Sequence, residues 1–283
     1  MSNQSTEGLL KTSRLSVYVL RNTPARNRPR VLYLGGSNFD LRLKRGFLST
    51  ALIREFDFAT YEPRGIGRTE HPSGTWRMAD YAKDALSVLD ALDWPDAHVI
   101  GESFGGMTAL HLALLAPERV TRLVVAAATA GGPQHQSYDI SKLLSLPDEE
   151  AARATLFLQD ARNTRLAETD PQAFSQKVSE RLGYNKEFAN PSVENGGYAR
   201  LLEARRGHDC TDLVASIQTP ALVIAGKHDQ QAPLVAQQAL GDAMPNAVCK
   251  VFVAGHGVLF SDPQAFDSAL KFLKERVAVS AST

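Results

Sequence analysis

The chain has 283 residues, 43% of them hydrophobic and 22% charged, which is enough apolar material for a sizeable folded core. Its 31 Lys and Arg balance 31 Asp and Glu, so no net field favours a polyanion, which argues against nucleic acid as a partner. No apolar run approaches the roughly 18 residues of a membrane span, and Met1 to Glu7 lacks the basic start and apolar stretch of a signal peptide, so a cytoplasmic protein is expected.

Residues 14–20 (RLSVYVL) alternate in polarity, as an edge strand with one solvated face would. Near-continuous apolar runs at 31–34, 56–61, 97–100, 123–126 and 221–225 predict strands of a sheet covered by helices on both faces. Between them Met78, Tyr81, Ala85, Leu89 and Leu92 recur at helical spacing, as do Met107, Leu110 and Leu114. Strands alternating with helices read as βαβ units, which makes the fold class α/β with a mostly parallel central sheet. The alternation stops at Gly131-Gly132-Pro133. From there to Asp209 the pattern is helical and charged, with helices predicted over 140–146, 148–160, 171–182 and 197–206. A connection of roughly 75 residues is long between sheet strands. It predicts a helical cap, residues 133–210, inserted into a core formed by 1–132 and 211–283. Within the cap, Leu143, Leu144, Phe157, Leu158 and Phe174 read as packing, and Arg205 and Arg206 as a solvated helix face. Thr219-Pro220 precedes the resumed strand pattern, a further strand is expected over 247–253, and residues 277–283 look frayed. Cys210 and Cys249 lack metal-ligand spacing, and Cys249 reads as a small core filler.

The chemistry concentrates in Gly101-Glu102-Ser103-Phe104-Gly105, a G-x-S-x-G match between an apolar run and a helical pattern. A strand-to-helix elbow there would expose the Ser103 hydroxyl beside a helix N-terminus. A serine hydroxyl needs a neighbouring base. Of seven histidines, His256 in Ala254-Gly255-His256-Gly257 is best placed, on a loop just after a strand. His98 lies within a strand and His111 two turns into a helix, while His71 and His135 have no strand end beside them. Asp229, directly after the run at 221–225, is placed to orient the histidine and stabilise its cation; His228 adjoins it rather than facing it. His208-Asp209, at the return from the cap, is compatible with a pocket mouth or with a helix end. An oxyanion would need two backbone N–H donors, expected from Phe104 and from Ser37 in the loop Gly35-Gly36-Ser37-Asn38.

These segments resemble the α/β-hydrolase superfamily over nearly the whole chain. Glu62-Pro63-Arg64-Gly65-Ile66-Gly67-Arg68-Thr69 resembles its D-x-R-G-x-G-x-S segment, with Glu and Thr in place of Asp and Ser. Ala116-Pro117-Glu118-Arg119-Val120 resembles the end of the post-nucleophile helix, Thr219-Pro220 through Asp229 and Pro233 the strand that delivers the acid, and Gly255-His256 with Pro263 the histidine loop. The order Ser, Asp, His is also the order this fold uses. Gly35-Gly36 stands where the family usually has His-Gly before the oxyanion donor. The resemblance implies a serine hydrolase with a cap, similar to small soluble esterases and enol-lactonases, requiring no cofactor or metal. Its partner would be a small-molecule substrate, with a homodimer possible. C–C bond hydrolases of diketones, cofactor-free haloperoxidase-like hydrolases and slow-turnover ligand receptors share the frame and stay open.

Overall fold

The computed structural model describes residues 5–22, 28–44, 46 and 50–275; the tail expected to fray at 277–283 lies outside them. Strands β1 (Ser5–Lys11), β2 (Ser16–Asn22), β3 (Arg30–Leu34), β4 (Asp57–Tyr61), β5 (Ala97–Glu102), β6 (Val120–Ala126), β7 (Ala221–Gly226) and β8 (Ala247–Phe252) form one sheet in the order β1-β2-β4-β3-β5-β6-β7-β8. The pairs β1–β2 and β2–β4 are antiparallel and all others parallel. The strand expected at 14–20 is therefore not the edge. The N-terminal segment pairs outside it as β1, an exposed strand whose polar composition carries no apolar pattern. The alternation in β2 has its cause only in the first half of the strand, where Val17 and Val19 are buried and Ser16 and Tyr18 on the other face are half-buried; Leu20 and Asn22 on that other face are buried too.

Successive strand residues point to opposite faces, and the core divides accordingly. Val99, Leu123, Val125 and Val223 pack under helices α2 (Met78–Ala91), α3 (Phe104–Leu115) and α9 (Leu234–Ala243). Their neighbours Ile100, Val124, Leu222 and Ile224 pack under α1 (Ala51–Glu55), α10 (Val258–Ser261) and α11 (Pro263–Lys274). Asp262 caps α11 by accepting from the N–H groups of Gln264 and Ala265, with Pro263 in the first turn. Cys249 is only half-buried, because β8 is an edge strand; it packs closely on Gly241 of α9.

Between β6 and β7 runs a helical insertion of α4 (Gly132–His135), a 3-10 turn (Ile140–Ser145), α5 (Asp148–Gln159), α6 (Arg162–Thr169), α7 (Pro171–Ser192) and α8 (Gly197–Arg206). Its two ends meet at a bridge between Gly131 and Asp209, beside the Cys210 N–H bonded to Ala130 O at 2.8 Å. Helix α7 runs ten residues beyond the expected 182, because its second half turns Tyr184 and Phe188 toward the cavity described below rather than continuing one apolar stripe. Helix α6 was not legible as an element. Phe157 and Phe174 stack at 5.1 Å in a small core of the insertion, as expected, whereas Leu143 and Leu144 line the cavity. Arg205 departs from its expected solvated face. It is buried, its Nη1 donates to Tyr138 O at 2.8 Å, and burial lowers its pKa. Arg206 beside it stays exposed.

The resembling segment at 62–69 is a buried polar knot. The Glu62 carboxylate accepts from the Leu41 N–H at 3.0 Å and from the Arg68 guanidinium at 2.6 Å, although burial raises its pKa against that pairing. Nearby, Arg64 and Asp84, both buried, form two bonds of 2.6 Å. This knot anchors the chain between the loop after β3 and helix α2.

Burial lowers the pKa of His71, His98, His111 and His208, so stability is expected to depend on pH, most strongly through His98 and His208. The pKa of His98, whose Nδ1 bonds Thr121 Oγ1 at 2.7 Å, and that of His208 each fall to about 4. A histidine held neutral in the fold takes up a proton more readily when unfolded, so stability falls as pH drops through about 6.5 toward 4. For the well-buried His208 the expected loss between pH 7 and pH 4.5 is about 2 kcal/mol. Guanidinium denaturation at the two pH values measures it, and a His208→Gln variant should show a flatter profile; an equally steep profile would assign the acid sensitivity elsewhere.

Candidate active site

Strand β5 ends at Glu102 and α3 begins at Phe104, leaving Ser103 alone in the turn with φ 55° and ψ −117°. A non-glycine residue at positive φ is strained and needs its surroundings to hold it. Here the Ser103 N–H donates to Ala126 O at 2.8 Å, tying the turn to β6. The flanking glycines are required by contact, since a Cβ on Gly105 would overlap the Leu34 carbonyl and one on Gly101 the Gly105 carbonyl.

The three side chains expected to work together do come together. His256 Nε2 lies 2.7 Å from Ser103 Oγ, and His256 Nδ1 lies 2.8 Å from Asp229 Oδ2. Asp229 is 1% exposed, Ser103 6% and His256 8%, so the line is buried, with the aspartate at its deepest end. Asp229 sits just beyond β7 and is fixed by two backbone donors on Oδ1, from Gln231 at 2.9 Å and Ala232 at 2.8 Å. The His256 N–H donates to Gln159 O at 2.6 Å, so the last residue of α5 in the insertion also holds the histidine loop. With Asp229 accepting at Oδ2, the ring proton resides on Nδ1 and Nε2 is left as acceptor. The arrangement is that of a serine–histidine–aspartate relay.

Gly36 lies against the serine, for a Cβ there would be 3.6 Å from Ser103 Cβ. Ser37, next in that loop, is buried, and its side chain bonds the Tyr198 hydroxyl from α8. Phe104 is buried edge-on to Tyr81 at 4.7 Å.

Above Ser103 is a cavity of about 820 Å³, lined from the core by Ser37, Phe39, Gln231, His256 and Phe260, and from the insertion by Ile140, Leu143, Leu144 and Phe188. Several groups there carry no signal in the sequence. Gln231 Nε2 is 2.9 Å from His256 Nε2. Arg181 of α7 donates to Gln159 Oε1 at 2.5 Å and lies 5.4 Å from the Tyr184 ring centroid, with burial lowering its pKa. Lys44 stands 4.8 Å over the same ring; burial lowers its pKa, against the opposing pull of Glu102. Glu102 accepts from Tyr33 Oη at 2.6 Å. Spacing cannot reveal such residues, because their roles depend on contacts between segments distant in the chain.

His208 and Asp209 do not line this cavity. His208 faces away: its Nε2 bonds Thr129 O at 2.9 Å and its Nδ1 bonds His111 Nε2 at 3.2 Å. With Cys210 these two rings form the one group gathered at metal-ligand distances among the described residues, within 4.8 Å of one another. That grouping was invisible in the cysteine spacing. His111 Nε2 and both ring nitrogens of His208 already make hydrogen bonds, the Cys210 thiol donates to Ala130 O at 3.4 Å, and burial pushes that thiol up to about 12, so these groups are held as a neutral hydrogen-bonded set.

Residues 33–263 match the α/β hydrolase fold family, and that span contains the serine, the aspartate and the histidine. The chain belongs to this family. The α/β-hydrolase is 29% identical over 224 residues to 3-oxoadipate enol-lactonase 2 of Acinetobacter baylyi, covering 76% of this chain and 78% of that one. It superposes on the enol-lactonase from Burkholderia xenovorans LB400 with TM-score 0.76 at 23% identity, over 95% of this chain and all of the other. It also superposes on the 2-hydroxy-6-oxo-6-phenylhexa-2,4-dienoate hydrolase of Rhodococcus sp. strain RHA1, with TM-score 0.76 at 16% identity over 95% and 98% of the two chains. At those identities the two superpositions establish the shared fold of the hydrolase and nothing finer. No helix among its described residues is long and apolar enough to cross a membrane.

Proposed function

We propose that this hydrolase cleaves a small carboxylic ester or lactone through an acyl-enzyme on Ser103. The observation that carries the reading is the continuous line from Asp229 Oδ2 through His256 to Ser103 Oγ at the floor of an 820 Å³ cavity. Ser103 Oγ attacks the carbonyl carbon as His256 Nε2 takes its proton, and Asp229 stabilises the imidazolium. The N–H groups of Phe104 and Ser37 hold the oxyanion, a contribution on the order of 3 kcal/mol for each donor. His256 then gives the proton to the leaving oxygen, and water repeats the cycle on the acyl-enzyme.

The cavity also supports a class of substrate. Arg181 and Lys44 both face it, and among the described residues neither has an ion-pair partner within 4.0 Å. A partly buried cation with no contact counter-ion is costly, and a substrate carboxylate would supply one to Arg181 foremost, since Lys44 is already drawn to Glu102 on the cavity wall. An ester or lactone that carries a carboxylate therefore suits the pocket, as the enol-lactonase among its relatives also suggests. Neutral and ω-carboxylated p-nitrophenyl esters of matched length test this. Arg181→Met should raise KM for the carboxylated series by about tenfold and leave the neutral series within about twofold. Equal effects on both series would remove the anionic substrate. Failure of wild type to hydrolyse any ester or lactone, with turnover of a β-diketone acid, would replace acyl transfer from oxygen with C–C cleavage.

A further inference from the structure

Gln231 occupies a position that the relay alone does not explain. His256 Nε2 has one lone pair in the ring plane, and two groups compete for it: Ser103 Oγ at 2.7 Å and Gln231 Nε2 at 2.9 Å. Because Asp229 holds the proton on Nδ1, the group facing Nε2 must donate, which fixes the amide nitrogen of Gln231 toward the ring. The side chain is buried, and its own backbone N–H is held by Asp229 Oδ1 at 2.9 Å, so the carboxamide and the relay are positioned by the same carboxylate.

We propose that Gln231 is a catalytic residue that donates to the base in the resting enzyme and passes that donor to the leaving-group oxygen during acylation. Resting on the acyl-transfer reading above, the step is as follows. The Oγ–C bond forms as the Oγ proton moves to Nε2. A protonated Nε2 can no longer accept, so the carboxamide loses its partner when the ester C–O bond begins to break. The electron pair of that bond stays on the leaving oxygen, which must lie within hydrogen-bond reach of Nε2 to collect the proton. The Gln231 N–H group adjoins that place and donates to the developing alkoxide until the proton arrives. In deacylation the attacking water stands where the alcohol stood and meets the same donor. A leaving group that departs readily as an anion gains little from such a donor; an alkoxide gains much.

The test compares kcat/KM for the ethyl and p-nitrophenyl esters of one acyl group in wild type, Gln231→Leu and Gln231→Met, beside the rate at which a fluorophosphonate labels Ser103. Fluoride needs no donor to leave, so labelling reports the relay and the fold alone. The expected result is a loss on the ethyl ester about tenfold or more beyond that on the p-nitrophenyl ester, with labelling within about threefold of wild type. Gln231→Met, of similar length and without a donor or a charge, should show the same preferential loss and serves if the leucine variant does not fold. Equal losses on both esters, or labelling that falls in step with turnover, would overturn the proposal and leave Gln231 a structural residue. If wild type labels but hydrolyses neither ester, the ester reading itself fails and takes this step with it.

Discussion

Ser103→Ala is expected to lower kcat for p-nitrophenyl ester hydrolysis by about 10⁴-fold or more. Under the proposed mechanism no neighbouring group can replace the hydroxyl. The nearest oxygen nucleophile would be a water that lacks the serine's fixed position 2.7 Å from His256 Nε2. What survives is the modest acceleration from the oxyanion donors and from binding, which the substitution leaves in place. Stability should change little. Alanine retains the strained φ of 55° but keeps the N–H bond to Ala126 O that holds the turn. Thermal unfolding should therefore lie close to that of wild type, showing that the lost rate is lost chemistry. Residual turnover above about one-tenth of wild type would remove Ser103 from the role of nucleophile.

Much of this site could be read from the chain because each of its three side chains is delivered by a pattern that sequence records. An apolar run ending in G-x-S-x-G and opening a helix leaves few arrangements for Ser103, and Asp229 and His256 each follow a strand-like run at the end where parallel sheets place their ligands. Legibility stopped where position depends on packing between distant segments. Arg205 looks in sequence like any arginine on a charged helix, yet the turn of α8 directs it inward to Tyr138 O. Strand β1 has no apolar face of its own and exists because β2 offers an unpaired edge, which periodicity does not record. Leu143 and Leu144 share the apolar character of Phe157 and Phe174, and which pair lines a cavity is settled only by how the insertion folds back. Gln231 stands two residues after the aspartate, where nothing about spacing marks a glutamine as facing the base.

The aspartate offers a sharper test of the relay than the serine, because Asp229→Asn keeps shape and burial while turning the acceptor that faces His256 into a donor. The Gln231 and Ala232 N–H groups at Oδ1 continue to demand an acceptor, so the asparagine oxygen is held there. Its amide nitrogen must then occupy the Oδ2 place, facing His256 Nδ1 and the Gln237 Nε2 group 3.3 Å away. Two donors meeting at Nδ1 drive the ring to the other tautomer, with the proton on Nε2 and pointing at Ser103 Oγ. A base that already carries its proton cannot take another from the serine, and kcat is expected to fall by about 10³ to 10⁴-fold with a nearly unchanged fold. Nitrogen-15 NMR of the imidazole should show the protonated ring nitrogen moving from Nδ1 to Nε2 in the variant. Activity within about tenfold of wild type, with the proton still on Nδ1, would mean that the orientation of His256 is fixed by its loop and the Gln159 carbonyl rather than by Asp229.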